Sequence, residues 1–295
     1  MAAKSKSEEK EAAPPVAASS STNRTKEIST GRWLLGLFMA STFSCVYFFA
    51  PIYMITCFIC LICRYPSFPG ALILSWPLLL SILSSPKRLD CRFLKPMADY
   101  FDFETAFELT DDDIKEMLRK NPDRKFILAS QPHGVLSYCG MSAAAMADPY
   151  LGRIHTAAAS VLLSTPILKN IMGIFGLVDA SRKSLQKHFQ KPGIDGCIVL
   201  YVGGIAELFK SSLEEERLFL SERKGFIKLA LREGVDVVPA YLFGNTTVLS
   251  VLKHGPLADL SRKIQVSLTY VWGKWYLPIP RDTKVCRCFL PLAYY

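Results

Sequence analysis

Charge is what this 295-residue chain has least of: 21% of its residues are charged and 50% are hydrophobic, with a mean hydropathy of +0.22. That balance excludes a disordered or collagen-like chain and an ordinary soluble globule. From Trp33 to Cys63 there is no charged residue, and none again from Tyr65 to Pro86. A membrane is the solvent that suits such runs. Acidic residues are outnumbered by basic ones, 26 to 35, leaving a net charge of +9. The phosphate-cradling P-loop, GxGxxG and GxSxG are all absent, and no internal repeat is present. Nucleotide-hydrolase, Rossmann and serine-hydrolase readings therefore lose their support. Histidine is scarce too, at four residues. None accompanies Cys57-x-x-Cys60-x-x-Cys63 or Cys286-x-Cys288, so no metal site is expected. The nine cysteines are scattered, five of them in or beside apolar runs, which reads as reduced thiols and not as a disulfide framework. The Cys57 to Cys63 set reads as packing, with S-acylation near Arg64 as the alternative.

Residues 1–31 form a polar tail without large apolar residues until Ile28, expected to be disordered and cytosolic. A single helix over the 31 residues from Trp33 would reach ~46 Å, too long for a hydrocarbon core of ~30 Å. With Pro51 inside the run and Arg64 closing it, residues 32–86 are expected to form a hairpin of two segments, about 33–55 and 66–85, either crossing or re-entrant. A secretory signal peptide fits poorly, because its apolar region is only ~7–15 residues long. Arg24, Lys26 and Arg32 precede the hairpin and Lys87, Arg88, Arg92 and Lys95 follow it, which puts both ends in the cytosol. Residues 87–122 read as a linker with an amphipathic helix, capped by Thr110 with Asp111 to Asp113 in its first turn and ended by Asn121-Pro122.

From residue 123 to 295 short apolar runs alternate with helical patterns. Lys125 to Ser130, Ile154 to Ser160, Gly196 to Val202 and Val235 to Phe243 read as strands; Ser164 to Met172, Ser181 to Phe189 and Arg223 to Glu233 read as helices. The expectation is an α/β layered domain.

Three constellations in that domain carry chemistry. His133, in Gln131-Pro132-His133-Gly134, follows an apolar strand at a turn whose glycine permits close approach. It is either a ligand-facing histidine or a turn histidine satisfied by backbone groups. His155, His188 and His254 have no such setting. Val202-Gly203-Gly204-Ile205-Ala206-Glu207 ends a second strand, where open α/β sheets place their crevices. Taken alone it reads as a tight strand-to-helix turn with Glu207 solvated. In the third, Arg223 to Arg232, Lys224, Lys228 and Arg232 share an arc of about 80° with Phe226 and Leu229 opposite. A charged solvated face explains that arc, yet residues 123–295 hold 21 basic against 13 acidic residues, a surplus suited to a phosphate-bearing ligand or anionic lipid. Nucleic acid is not expected, since no base-stacking aromatic pattern accompanies the charge.

In this order the motifs resemble the type 2 diacylglycerol acyltransferase family, with its monoacylglycerol and wax-alcohol members, from the hairpin through Tyr100-Phe101, Pro132-His133-Gly134, Gly173 to Arg182, Val202 to Glu207, and Arg223 to Gly244. The resemblance implies transfer of a fatty acyl group from acyl-CoA to diacylglycerol, giving triacylglycerol at the endoplasmic reticulum membrane and, optionally, lipid droplets. Acyl-CoA enters as a substrate, with no cofactor; membrane lipid and neutral glycerolipid are the partners, and a homo-oligomer stays open. His133 becomes the general base, with Glu207 the next candidate. Gln131, Pro132, Gly134, Gly203, Gly204, Arg223, Lys224, Gly225, Phe226 and Lys228 form the substrate-binding set, with Gly203 and Gly204 lining the acyl or phosphate site and Arg223, Lys224 and Lys228 attracting the CoA phosphates. Monoacylglycerol or a long-chain alcohol is the alternative acceptor, and a non-catalytic paralogue that binds acyl-CoA or a partner is the alternative class.

Three positions and the C-terminal end depart from the pattern. Gln131 replaces the first histidine of His-Pro-His-Gly, and Asn245 replaces the glutamate of Phe-Gly-Glu. Tyr138 stands where broader relatives carry an aspartate five residues after the histidine, an absence shared by the type 2 family. After Leu277-Pro278-Ile279-Pro280 the family continues through a further strand and a helical region, whereas this chain runs from Val285 to Leu290 and stops at Tyr295, so the domain, 123–295, is expected to be truncated at its C-terminus.

Overall fold

The computed structural model describes residues 28–107, 111–147, 151–210, 216–218, 220–256, 259 and 270–289. The first 27 residues of the expected tail, and Thr110, lie outside that set.

Helix α1 (Thr30–Cys63) is one uninterrupted helix that continues past Pro51 to Arg64, whose left-handed backbone (φ 53°) ends it with an N–H bond to the Cys60 carbonyl. The helix thus runs beyond residue 55, the expected end of the first segment. Proline removes one N–H from the ladder, while the apolar residues after it have no partner for their own backbone groups except the preceding turn. Helix α2 (Phe68–Leu83) returns alongside, capped by the Ser67 hydroxyl. The Tyr53 hydroxyl bonds the Leu74 carbonyl at 2.5 Å, and Cys57 is buried against the same turn. Helix α1 is long and apolar enough to cross a membrane; α2, at about 24 Å, is shorter than a ~30 Å hydrocarbon core.

The two halves of α1 have different surroundings. Its first half is built into the folded domain: Trp33 packs on Tyr100, Phe43 on Phe175, and the Tyr138 hydroxyl bonds the Ala40 carbonyl at 2.9 Å. Beyond, Phe49, Ile52, Ile55, Phe58, Ile59 and Ile62 are exposed.

A seven-stranded sheet forms the centre. Its strands are β1 (Glu104–Phe107), β2 (Phe126–Gln131), β3 (His155–Ala158), β4 (Leu177–Asp179), β5 (Ile198–Tyr201), β6 (Asp236–Phe243) and a final strand, β9 (Cys286–Phe289). They lie in the order β1-β9-β6-β2-β5-β3-β4. The block β6-β2-β5-β3-β4 is parallel, whereas β9 runs antiparallel to β6 and parallel to β1. A separate pair, β7 (Ser250–Val251) with β8 (Val271–Trp272), precedes β9.

Helices cover both faces. On one, α5 (Tyr138–Met146), α1 and α3 (Lys95–Tyr100) share a core with Leu242 and Val285. On the other, α8 (Arg182–Phe189) and α10 (Gly225–Glu233) bury Leu185, Phe189, Leu229 and Ala230 on Ile127 and Ile198. Three shorter helices, α6 (Ser160–Ser164), α7 (Leu168–Gly173) and α9 (Ile205–Lys210), and the surface helix α4 (Asp111–Lys120) complete the order.

One sequence expectation changes. The stretch 87–122 is no linker: Met97, Tyr100 and Phe101 are core residues, and β1 is a sheet edge. Its burial follows from three large apolar side chains that share one core with α1 and α5, Tyr100 packing on Trp33 and Phe101 on Tyr138. The stretch after Pro280 supplies β9 between β1 and β6.

Candidate functional site

Strand β2 is buried through Ser130, and just beyond Gln131 the chain turns at Pro132, His133 and Gly134 before α5 begins. Gly134 adopts φ +63°, and a Cβ there would lie 2.7 Å from the Asn245 carbonyl oxygen. Glycine is required on both counts. Nδ1 of His133 lies 2.8 Å from the Gly134 carbonyl. A carbonyl only accepts, so Nδ1 carries the proton and the neutral ring presents its lone pair at Nε2. Burial lowers the pKa of His133 below its ordinary value, which keeps it neutral and basic at neutral pH.

Two buried side chains hold this turn. Glu207 accepts the His133 backbone N–H at 3.2 Å through Oε2. Asn245, 1% exposed, donates from Nδ2 to the carbonyls of Pro132 (3.1 Å) and His133 (2.6 Å), and its Oδ1 accepts the Cys139 N–H at 3.1 Å. Only this orientation of the amide satisfies all three groups. An amide suits this position better than the carboxylate it replaces, because a carboxylate could not donate to two carbonyls. Sequence reasoning marked Asn245 as a departure and missed its contact with the histidine turn; a polar residue directly after a buried strand was the available signal.

Glu207 is not the solvated residue that its position at a helix start suggests. It sits in the core, folded over Gly203, where an added Cβ would meet its carboxyl carbon at 1.9 Å. Gly203 exists to admit Glu207. Gly204 has φ +57° and no heavy atom within 4 Å of its missing Cβ, so of the two it has room for a ligand. Tyr201, ending β5, packs edge-on against the His133 ring at 4.7 Å. Burial pushes its pKa up to about 12, so it stays neutral, with the Arg287 cation of β9 acting on it in the opposite sense.

The structure brings His133, Gly134, Glu207, Gly203 and Gly204 together at the C-terminal edge of the sheet. Gln131 ends β2 with its Oε1 buried and unpartnered, and Pro132 lies beneath Asn245. The basic constellation is placed differently. Helix α10 runs into β6 and is antiparallel to it, so Arg223, Lys224 and Gly225 lie at the site's edge of the sheet and Arg232 at the far one. Arg223, Lys224, Gly225 and Lys228 are exposed, Phe226 is half-buried, and Leu229 packs inward. His188 is buried against His155, with ring centroids 5.0 Å apart, away from this edge. Among the described residues no cluster of three or more His, Cys, Asp or Glu could hold a metal ion.

Residues 92–278 match the family model described as diacylglycerol acyltransferase. The chain is 34% identical over 133 residues to 2-acylglycerol O-acyltransferase 3 of Homo sapiens, covering 43% of this chain and 39% of that protein. It is 30% identical over 159 residues to diacylglycerol O-acyltransferase 2 of Dictyostelium discoideum, covering 52% and 48%. The chain thus spans less than half the length of these curated relatives. The crystal structure of the 1-acyl-sn-glycerophosphate acyltransferase of Thermotoga maritima is similar at a TM-score of 0.41 and 13% identity, covering 88% of this chain and 84% of that one. With the family model covering well over half of its residues, the chain belongs to the diacylglycerol acyltransferase family.

Proposed function

We propose that the chain transfers a fatty acyl group from acyl-CoA to the free hydroxyl of diacylglycerol, forming triacylglycerol and CoA. The observation that carries this reading is a neutral histidine whose Nδ1 is held by a backbone carbonyl, leaving Nε2 as the base. Nε2 takes the proton of the acceptor hydroxyl as its oxygen attacks the thioester carbonyl. The tetrahedral intermediate then collapses, the C–S bond breaks, and the imidazolium returns its proton to the departing thiolate. Such a positioned base is worth ~10²–10⁴ in rate. The thioester already carries the activated acyl group, so the scheme calls on no cofactor. Glu207 and Asn245 act through the backbone of the turn as positioning residues. Gly204 is where the developing oxyanion or the acyl carbonyl has room, and Arg223, Lys224 and Lys228 attract the CoA phosphates.

The setting supports a lipid acceptor. Helix α5, five residues after His133, hydrogen-bonds the same α1 whose second half is an exposed apolar hairpin. An acceptor dissolved in the bilayer reaches the site along α1 without crossing water. We place the protein in the endoplasmic reticulum membrane with tail and domain on the cytosolic side, where acyl-CoA is present.

Microsomes from a triacylglycerol-deficient host expressing the chain should incorporate labelled acyl-CoA into triacylglycerol. Acceptor competition tests the alternative that the similarity to a 2-acylglycerol acyltransferase favours, namely monoacylglycerol. No neutral-lipid product from any acceptor would overturn the enzyme reading.

A further inference from the structure

Between β8 and Pro278 the chain makes a tight turn, Lys274–Tyr276, that serves none of the chemistry above. Its aromatic residues face outward: Trp275 is 74% and Tyr276 76% exposed, followed by Leu277 at 50%. Both aromatics have left-handed backbones, φ 53° and 58°, a region that bulky side chains rarely enter. The turn is nonetheless tied in place by backbone bonds from Gly273 to Leu277 and from Lys274 to Ile279, each 2.7 Å. Its base closes only on glycine, because a Cβ at Gly273 would meet the Ile279 carbonyl at 2.0 Å. The turn's cation is withdrawn from the tip, Nζ of Lys274 lying over the Trp33 ring at 5.2 Å and 3.1 Å from Asp282. Two rings are thus held in water by a strained, fully braced loop, an arrangement that apolar burial disfavours unless something covers them.

What lies beside the tip says what that is. The Ser44 hydroxyl of α1 bonds the Pro278 carbonyl, and the Tyr270 hydroxyl bonds the Tyr276 carbonyl. The Tyr270 ring packs edge-on to Phe48 at 5.8 Å, and Phe48 on Phe49 at 5.0 Å. Phe49 opens the exposed apolar run of the hairpin. The tip is therefore continuous with the surface that enters lipid, at the point where α1 leaves the domain. Tryptophan and tyrosine are the side chains that settle at the headgroup level of a bilayer.

We propose that Trp275 and Tyr276 form a second membrane contact, seated in the interface of the bilayer that receives the hairpin and setting the tilt of the catalytic domain on it. This rests on the membrane reading of the hairpin. The test uses the full chain in phosphatidylcholine vesicles, comparing the native protein with Trp275→Phe, an exposed position with no packing to lose. Trp275 is one of four tryptophans, so its share of the emission is the difference between the two proteins. The expected result is that nitroxide placed near the lipid headgroups quenches more of the native emission than of the variant's, while aqueous iodide quenches both equally. If Trp275's share is lost to iodide the tip lies in water, and if it is lost to neither quencher the tip is covered by protein; either result overturns the proposal. A chain that does not associate with the vesicles at all overturns the membrane reading itself, which separates the two failures.

Discussion

Two regions that stand at the same edge of the sheet, the His133 turn and the start of α10, are built on opposite principles. In the first, four polar groups of the turn meet fixed partners: the His133 N–H goes to Glu207, the Pro132 and His133 carbonyls to Asn245, and the ring Nδ1–H to the Gly134 carbonyl. In the second, the side chains of Arg223, Lys224 and Lys228 are exposed at the start of a helix whose Leu229 and Ala230 pack inward. The contrast matches the demands of the proposed reaction. Proton transfer needs a nitrogen fixed to a fraction of an ångström, whereas attraction of phosphates acts over about 8–10 Å at physiological salt and tolerates mobile side chains. Changes at the turn should therefore act on turnover, and changes at α10 on substrate capture.

The largest effect is expected at His133 itself. His133→Ala should lower turnover by ~10²-fold or more per mole of folded protein, with expression unchanged, because a half-buried turn residue contributes little core volume. Near-full turnover would remove the base from His133. The pH profile sharpens the test. With its pKa lowered by burial, His133 remains an unprotonated base at pH 6.5, so the acid limb of kcat/KM should fall below that value. Stability should move the same way. The unfolded histidine binds a proton first, so stability is complete above about pH 6.5 and is lost on acidification. His155, pushed down to about 4 mainly by burial with Arg88 adding to it, and His188 add to that loss, readable as Tm against pH.

Next is Asn245. Asn245→Glu restores the residue of the resembling family and should nevertheless lower kcat by ~10-fold or more, because even a protonated carboxyl donates once where two carbonyls wait. KM for acyl-CoA should change far less. An active Asn245→Glu enzyme would mean that the turn does not need its clamp.

How much of this was legible beforehand divides along the same lines. Strands β2, β5 and β6 lie in apolar runs of the sequence and helices α8 and α10 bury one face each, which made them readable, as β3 was inside the run Ile154 to Ser160. Strand β4, three residues long, carries too little pattern to be seen. Strand β9 alternates Cys286, Arg287 and Cys288 at the edge of the parallel block, and its role comes from β1 and β6 on either side, which local sequence does not contain. In the site, His133 and the glycines were visible as turn chemistry. The burial of Glu207 and the reach of Asn245 across 112 residues to the His133 carbonyl were not, since both depend on which strand ends meet. Helix α1 shows the limit of composition: its hydropathy is that of a membrane segment, yet Ala40 and Phe43 of its first half belong to the domain core.

At the basic edge, Lys224→Glu with Lys228→Glu should raise KM for acyl-CoA several-fold through about two reversed charges while leaving kcat near native, because Leu229 and Ala230 still pack. The rise should shrink at high salt, as expected of screened attraction. Unchanged kinetics in a folded protein would reduce the stripe to a solvated face.

The smallest effect belongs to Gln131, the other departure from the family pattern, and it decides whether the turn tolerates change beside its catalytic nitrogen. The Gln131 Oε1 is buried without a partner, a state that costs ~1–3 kcal/mol in a folded protein. Its backbone is fixed by the ladder to Tyr241, so substitution leaves the path into Pro132 unaltered. Gln131→His should thus preserve or modestly raise turnover and should not lower Tm, since it replaces an unsatisfied acceptor with a ring that can be neutral. The comparison with Asn245→Glu is the informative one: both restore the family residue, yet one faces an unmet acceptor and the other breaks a complete network. If Gln131→His proved as damaging as Asn245→Glu, the turn would depend on the bulk of its neighbours and not on the hydrogen bonds that hold it.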